Sequence, residues 1–481
     1  MIKLLLAATA ALASVPLLAA TAASQPSETD QALRGSRIER PIRSRAADLR
    51  DEALRSDTLA WDIVEGLTTE VGARLAGTEA EARARAWAVR RLTALGFSNV
   101  RVETFDMPVW VRGEERAEIV SPFPQRLVVT ALGNSGATPA RGLTAEVVGF
   151  ETIEDLERAP DSAVRGRIVF VSHGMQPTQD GSGYGYYGRA RREGPSIASR
   201  KGAAAIVIRS IGTDYHRNPH TGVQTWREGA RPIPAGALSI PDAEQLQRIL
   251  RRAGDAPVRM SLTLTPRMIG TRQSGNVIAE VPGRDPSAGI VLVGGHLDSW
   301  DLGTGAIDDG AGVAITTAAA HRIMQAGRPL RTIRVVWFGA EEVGLFGGEE
   351  YLRRHRGDNH AVIAESDFGA DRVWRFDSRL NATARPVVDE IARLLFPLGI
   401  VRGSVTEAGG SDIGPLSNSG VPTIELQQDG TRYFDLHHTP DDTLDKIDPA
   451  QLRQNVAAWT AMLAVVSDAP GNFGPVAPIA D

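Results

Sequence analysis

Imidazole and carboxylate side chains recur at the ends of apolar runs in the C-terminal half of the chain. His296 closes the run Ile290-Val291-Leu292-Val293-Gly294-Gly295, and Asp298 follows two residues later. Asp308 lies among Gly303, Gly305 and Gly310, glycines that let backbone approach a crowded site. Glu341 and Glu342 follow Ile333–Ala340, Asp367 ends Ala361–Asp367, and His438 opens His438-Thr439-Pro440-Asp441-Asp442-Thr443. Imidazole and carboxylate suit zinc, and a hydrolytic site keeps a coordination position open for water. His296, Asp308, Glu342, Asp367 and His438 are enough to hold two divalent ions that share a bridging carboxylate. Glu341 is then left over, next to a ligand, as a general base. Asp298 is placed to hold the second nitrogen of His296.

Each piece also has an ordinary explanation. Glu341-Glu342 suits the first turn of a helix, where acids favour the macrodipole. Asp308-Asp309 suits a helix cap, and His437-His438 suits a loop. The chemical reading rests on their joint occurrence, in order, at strand ends. The histidines at 173, 216 and 220 lack this context and are expected in surface or local structural roles. His355 and His360 flank a loop beside arginines and are expected to be exposed. No Gly-Lys-Ser/Thr phosphate loop and no Gly-x-Ser-x-Gly elbow occurs. The absence of cysteine excludes thiolate zinc sites and lipoprotein attachment.

The elements that must position these residues alternate. Strands are predicted at 288–295, 332–338, 360–365 and 421–426, and helices at 310–326, 345–355, 382–396 and 449–467. That alternation predicts an α/β fold: a mostly parallel sheet with helices on both faces. Open sheets of this kind bind ligands at the C-terminal ends of their strands, where the candidate ligands fall. Further helices are predicted at 46–67 and 79–95, and a strand at 100–105. Residues 121–272 change character, with many Gly and Pro, strands at 167–171 and 203–208 and a helix at 196–202. They read as an inserted domain.

A chain of 481 residues exceeds one ordinary core, so two domains and a leader are expected. Lys3, the apolar run Leu4–Ala20 and the small residues that follow read as a secretory signal ending near residue 23. Secretion or a bacterial periplasm follows, with no membrane attachment once the signal is removed. The formal charge of −5 argues against nucleic acid as a partner. Only three lysines stand against 50 arginines.

The order His-x-Asp, Asp, Glu-Glu, Asp, His-Thr-x-x-Asp-Thr resembles the co-catalytic zinc exopeptidases, a family that includes leucyl aminopeptidases and glutamate carboxypeptidases. Within it, Trp110–Glu115, His220–Gln224 and Ile233-Pro234-Ala235 look like the carboxypeptidase Q subfamily. Gly166–Val169 and Lys201–Ala205 resemble a protease-associated domain. The resemblance implies a zinc peptidase domain at 46–120 and 273–468, with a protease-associated-like insert at 121–272. It implies Asp308 as the bridge between two zinc ions, one on His296 and Asp367, the other on Glu342 and His438. Glu341 would be the base and Asp298 the residue that orients the imidazole. His437 rivals His438, which has the better match because it directly precedes Thr439. Tyr433 and Gly410-Ser411-Asp412 fall where the family lines its substrate pocket.

The expected activity is hydrolysis of dipeptides or short peptides as an exopeptidase. Aminopeptidase action, single-zinc glutaminyl cyclisation and a non-catalytic binding role are the alternatives. An exopeptidase needs a charged group for one free terminus, and the sequence singles out none of its arginines for that task. The aromatic stretches Tyr184–Gly188 and His220–Trp226 are expected at a mobile or interface surface, and the resemblance implies a homodimer.

Overall fold

A computed structural model describes residues 38–404 and 409–479; the leader predicted at 1–23 lies outside them. Two eight-stranded sheets organise the chain. Across the first, the strands run Ser98–Val111, Arg267–Val281, Thr332–Phe338, Ile290–His296, His360–Glu365, Thr423–Gln428, Val373–Arg379 and Val401–Arg402. The four central strands are parallel, with His296 opposite Phe338 and Gly294 opposite Glu365. Val291, Leu292 and Val293 are buried on both faces, as near-continuous apolar runs predict for a covered parallel sheet.

The flanks depart from the expectation of a mostly parallel sheet. Arg267–Val281 lies antiparallel to both its neighbours, and Val373–Arg379 lies antiparallel to Thr423–Gln428. An apolar run reports burial, not direction. Arg267–Val281 returns directly from the second sheet, with no crossover helix to turn it parallel.

Helices cover both faces. Ala311–Gln325 and Pro449–Val466 are almost wholly buried on one side. The second helix starts where Asp448 accepts the backbone N–H groups of Ala450 and Gln451, with proline at the first helical position. Phe346–His355 and Gly414–Asn418 lie on the other side, where Tyr351 and Leu416 pack with Leu292, Val336, Phe338 and Ile363. The helix predicted at 46–67 is broken into Arg40–Ser56 and Leu59–Gly66. At the break, the Asp57 carboxylate accepts the Ala60 N–H at 3.1 Å and pairs with Arg322 at 2.9 Å, which starts a new helix.

The second sheet runs Gln125–Leu127, Glu115–Ser121, Arg259–Leu264, Leu143–Phe150, Ile168–Val171, Ala205–Arg209, Ala235–Leu238 and Val129–Ala131. It has its own apolar cluster, with Ile119, Phe170, Val207, Leu246, Met260 and Leu262. Among the described residues, no helix is long and apolar enough to cross a membrane.

Candidate metal centre and substrate cavity

Three parallel neighbours deliver their C-terminal ends to one rim of the first sheet. His296 is the last residue of its strand, Glu341-Glu342 follow Thr332–Phe338, and Asp367 follows His360–Glu365. Asp308 reaches the rim on a loop that other residues hold in place. The buried Arg74 guanidinium donates to the carbonyls of Leu297, Thr304 and Gly305 at 2.5, 2.6 and 2.8 Å. The Asp442 carboxylate accepts the N–H groups of Ile307 and Asp308 at 2.6 and 3.3 Å. Asp309 accepts the N–H of His296 at 3.0 Å and that of Gly312, in the first turn of Ala311–Gln325, at 2.9 Å. The helix start is therefore served by Asp309, and Asp308 is free to face the rim. Gly295 is needed for this packing, since a Cβ there would come within 2.2 Å of Asp309 Oδ2.

The five expected ligands form one connected cluster. His296 Nε2 lies 3.0 Å from Asp308 Oδ1 and 3.3 Å from Asp367 Oδ1. His438 Nε2 lies 3.2 Å from Asp308 Oδ2 and 2.9 Å from Glu342 Oε2. Asp308 thus stands in the middle, one oxygen toward His296 and Asp367, the other toward His438 and Glu342. The donor atoms of His296, Asp308 and Glu342 all lie within 4.8 Å of one another. The neighbouring turns carry left-handed non-glycine residues: Ala340 (φ 61°), Leu345 (φ 60°) and His438 (φ 62°). Such strain persists where surrounding structure enforces it, and it clusters at functional sites.

The electrostatics are lopsided. Among the described residues, no arginine or lysine pairs with Asp308, Glu341, Glu342 or Asp367. Burial and the neighbouring carboxylates hold Glu341 and Glu342 well above the usual carboxylate range. Burial opposes charge on His296, but Asp367 and Asp308 outweigh it and hold its pKa well above normal. Burial and Asp308 push Asp442 up to about 7. Asp308 Oδ2 and Glu342 Oε1 are buried and accept no hydrogen bond. A cluster of buried acids with orphaned oxygens is costly unless cations fill it. With one imidazole aimed at each oxygen of Asp308, the donor set fits zinc.

Several expectations change in detail. Asp298 does not hold His296 through its carboxylate, which is 3.9 Å away; its main-chain carbonyl does so, at 2.9 Å from Nδ1. The carboxylate turns instead to the N–H groups of Glu341 and Glu342, at 3.1 and 3.3 Å, and so fixes the turn that carries them. Donation from Nδ1 to that carbonyl leaves Nε2 as the nitrogen with a free lone pair.

A cavity of about 440 Å³ opens beside the cluster. Tyr433 and Ser411 line it, and Ser411 Oγ also donates to Asp367 Oδ2 at 2.9 Å. Asp412 does not line it: its side chain is fully buried, with neither oxygen hydrogen-bonded. Helix Gly414–Asn418 begins just beyond, so the chain turns inward after Ser411. His437 stacks on His438 with ring centres 3.4 Å apart; its Nε2 is 3.7 Å from Asp308 Oδ2, farther than that of His438.

His220 is buried and reaches beyond its own unit, since its ring nitrogens contact the His437 carbonyl at 2.8 Å and Asp214 at 2.7 Å. His355 and His360 are not exposed; they join Arg334, Tyr351, Glu103 and Asp358 in a part-buried network. Tyr184 lines the cavity and stacks on Phe434 at 4.6 Å, whereas Trp226 donates to the Asn134 carbonyl within the second unit. Sequence reasoning missed Arg191 and Phe368 as cavity residues. No local signal marks either one.

Residues 276–463 match the sequence profile of peptidase family M28. Carboxypeptidase Q of Bos taurus is 35% identical over 407 residues, which cover 84% of this chain and 84% of that protein. Among solved structures, a peptidase M28 precursor from Shewanella amazonensis SB2B is 47% identical with a TM-score of 0.88, over 91% of this chain and 99% of that one. A zinc aminopeptidase from Bacillus subtilis shares the fold at 22% identity and a TM-score of 0.61, over 87% of this chain and 97% of that one.

Proposed function

Because the chain belongs to peptidase family M28, we propose that it is a two-zinc exopeptidase of dipeptides or short peptides, exported after removal of residues 1–23. The observation that carries this reading is the divided Asp308 carboxylate, one oxygen toward each imidazole. It supports a bridge between one ion on His296 and Asp367 and another on Glu342 and His438. Two divalent ions would polarise the scissile carbonyl and bring the pKa of a water toward neutrality. Glu341 adjoins Glu342, faces the cavity and makes no close contact with either imidazole. It takes the proton from the attacking water and returns it to the leaving amine. Tyr433, kept neutral by burial and by Asp308 and Asp367, offers a hydroxyl proton on the cavity wall.

We propose a catalytic unit built on the first sheet, close to 46–120 and 273–468, and a protease-associated-like insert built on the second, close to 121–272, with the strands Glu115–Ser121 and Arg267–Val281 crossing those bounds. The insert supplies Tyr184, Arg191 and Val223 to the cavity wall. A homodimer is part of the same reading; a monomeric mass by light scattering at micromolar concentration removes it. Metal analysis with a peptide panel tests the function as a whole. The expected result is two zinc per chain and cleavage of short peptides. One zinc with cyclisation of N-terminal glutamine, or full zinc with no peptide cleaved, overturns it.

A further inference from the structure

Resting on the two-metal reading of this centre, we propose that Asp214 and His220 of the insert are positioning residues for the metal ligand His438. They pin the turn that carries it, so that the ion on Glu342 and His438 depends on the insert and the ion on His296 and Asp367 does not.

The two imidazoles are held in different ways. His296 ends a strand of the first sheet, and its Nδ1 rests on the Asp298 carbonyl two residues on, at 2.9 Å. Its support is local and belongs to the catalytic unit. His438 follows the short helix Tyr433–Leu436 and has a left-handed backbone (φ 62°). A residue with a Cβ keeps that conformation only where its surroundings enforce it. With Nε2 as the ligand atom, Nδ1 carries the proton. The acceptor beside Nδ1 is the Thr221 carbonyl of the insert, 3.3 Å away.

The backbone of the same turn is bound by the insert as well. The Phe434 carbonyl accepts the Thr213 N–H at 3.1 Å, and the His438 carbonyl accepts the Thr221 N–H at 3.0 Å. Between them, the His437 carbonyl lies 2.8 Å from Nδ1 of His220. The Thr213 hydroxyl adds a bond to Asp435 Oδ1 at 2.6 Å.

The other end of the His220 ring is anchored. Nε2 meets Asp214 Oδ1 at 2.7 Å, both side chains are buried, and Asp214 Oδ2 accepts the His216 N–H at 2.9 Å. The His220 N–H donates to Ser210 Oγ at 2.8 Å. Gly212 lies against the ring, where a Cβ would come within 2.2 Å of Cε1. A buried ring fixed at every polar atom is a strut. It bears on the residue next to the ligand, 217 positions along the chain. Groups that orient a ligating imidazole tune metal affinity, and losing one weakens it by about 10- to 100-fold. Here the loss falls on one ion, because Asp298 supports both His296 and the turn of Glu342 from within the catalytic unit.

The test titrates metal-free protein with Zn2+ against a competing chelator, and with Co2+ for the visible spectrum, whose bands report coordination geometry. Wild type is expected to take two ions. His220→Phe keeps a ring but makes neither bond. It is expected to hold one ion as wild type does and the other about tenfold or more weakly, with altered bands for that ion alone. Asp214→Asn, which keeps an acceptor at Oδ1, is expected to lie close to wild type. In a His438→Ala background, His220→Phe is expected to add no further loss, because the ligand through which it acts is gone. Additive losses overturn the proposal. So does a His220→Phe protein with a lowered urea midpoint and both ions bound as in wild type, the result for a residue that only stabilises the insert. Should His220→Phe not fold, Asp214→Ala, which leaves the ring without its anchor, decides by the same titration. A wild type that takes one ion sinks the two-metal reading; the clamp then stands or falls on whether His220→Phe weakens that ion.

Discussion

Two polar clusters in the first sheet use the same residue types to opposite ends. One lies at the strand ends, with His296, Asp308, Glu342, Asp367 and His438. The other lies toward the antiparallel flank, where Arg334 pairs with Glu280 at 2.9 Å and Asp358 at 2.7 Å and donates to the Tyr351 hydroxyl at 2.9 Å. His355 joins it between Glu103 and Asp358, at 2.9 Å from each. In the second cluster each acid has a cationic or imidazole partner. Although burial opposes it, His355 and Arg101 hold Glu103 below its usual range, and Arg334 and His355 do the same for Asp358. In the first cluster arginine is missing, and Glu341 and Glu342 are held high. The difference teaches that composition does not separate a structural network from a reactive one. Internal compensation does: the flank is satisfied by its own arginine, while the rim needs cations from outside.

The sharpest way to break the comparison is to remove those cations or their bridge. Chelation, or Asp308→Asn, is expected to abolish turnover, and Asp308→Asn to lower the zinc content read by elemental analysis. An active Asp308→Asn protein with its metal lost would remove the rim from the chemistry. Glu341→Gln is expected to keep the metal and lose about two to four decades of kcat, the range of a general base. Near-wild-type turnover would exclude Glu341 from proton transfer.

On the flank, Arg334→Met is expected to cost about 3–5 kcal/mol in chemical denaturation, because it strands the buried Glu280 without a cation and leaves Asp358 to His355 alone. Turnover per folded molecule should stay unchanged; a lost turnover at full folding would show that the two clusters are not independent. The smallest effect concerns pH. Burial and Arg334 push His360 down to about 4. Between that value and the ordinary imidazole pKa near 6.5, the unfolded chain binds the proton and the folded chain does not. This contribution is therefore intact above about pH 6.5 and lost as the pH falls toward 4. His360→Gln should flatten the fall in urea midpoint between pH 6.5 and 4.5, and an unchanged slope would put the acid sensitivity elsewhere.

Much of this was legible along the chain. Apolar runs place Ile290–His296, Thr332–Phe338 and His360–Glu365 as buried strands, and the residues after them must then fall at strand ends. That inference is local, because burial of a strand is written in its own side chains and the rim follows from parallel order. The amphipathic and fully apolar helices are legible for the same reason.

What the tertiary structure alone decided depends on partners far apart in sequence. The flank strands are antiparallel because of where the chain re-enters the sheet. Asp298 and Asp309 fix backbone N–H groups, while Asp308 alone faces both imidazoles, though Asp308 and Asp309 look equivalent in sequence. His355 and His360 are part-buried because Arg334, Glu103 and Tyr351 come to meet them. Among the arginines of the described residues, Arg191 is distinguished by its place on the cavity wall beside His438. Sequence determines which charges a chain carries. Folding decides which of them find a partner, and a charge left without one is what a substrate or a metal can use.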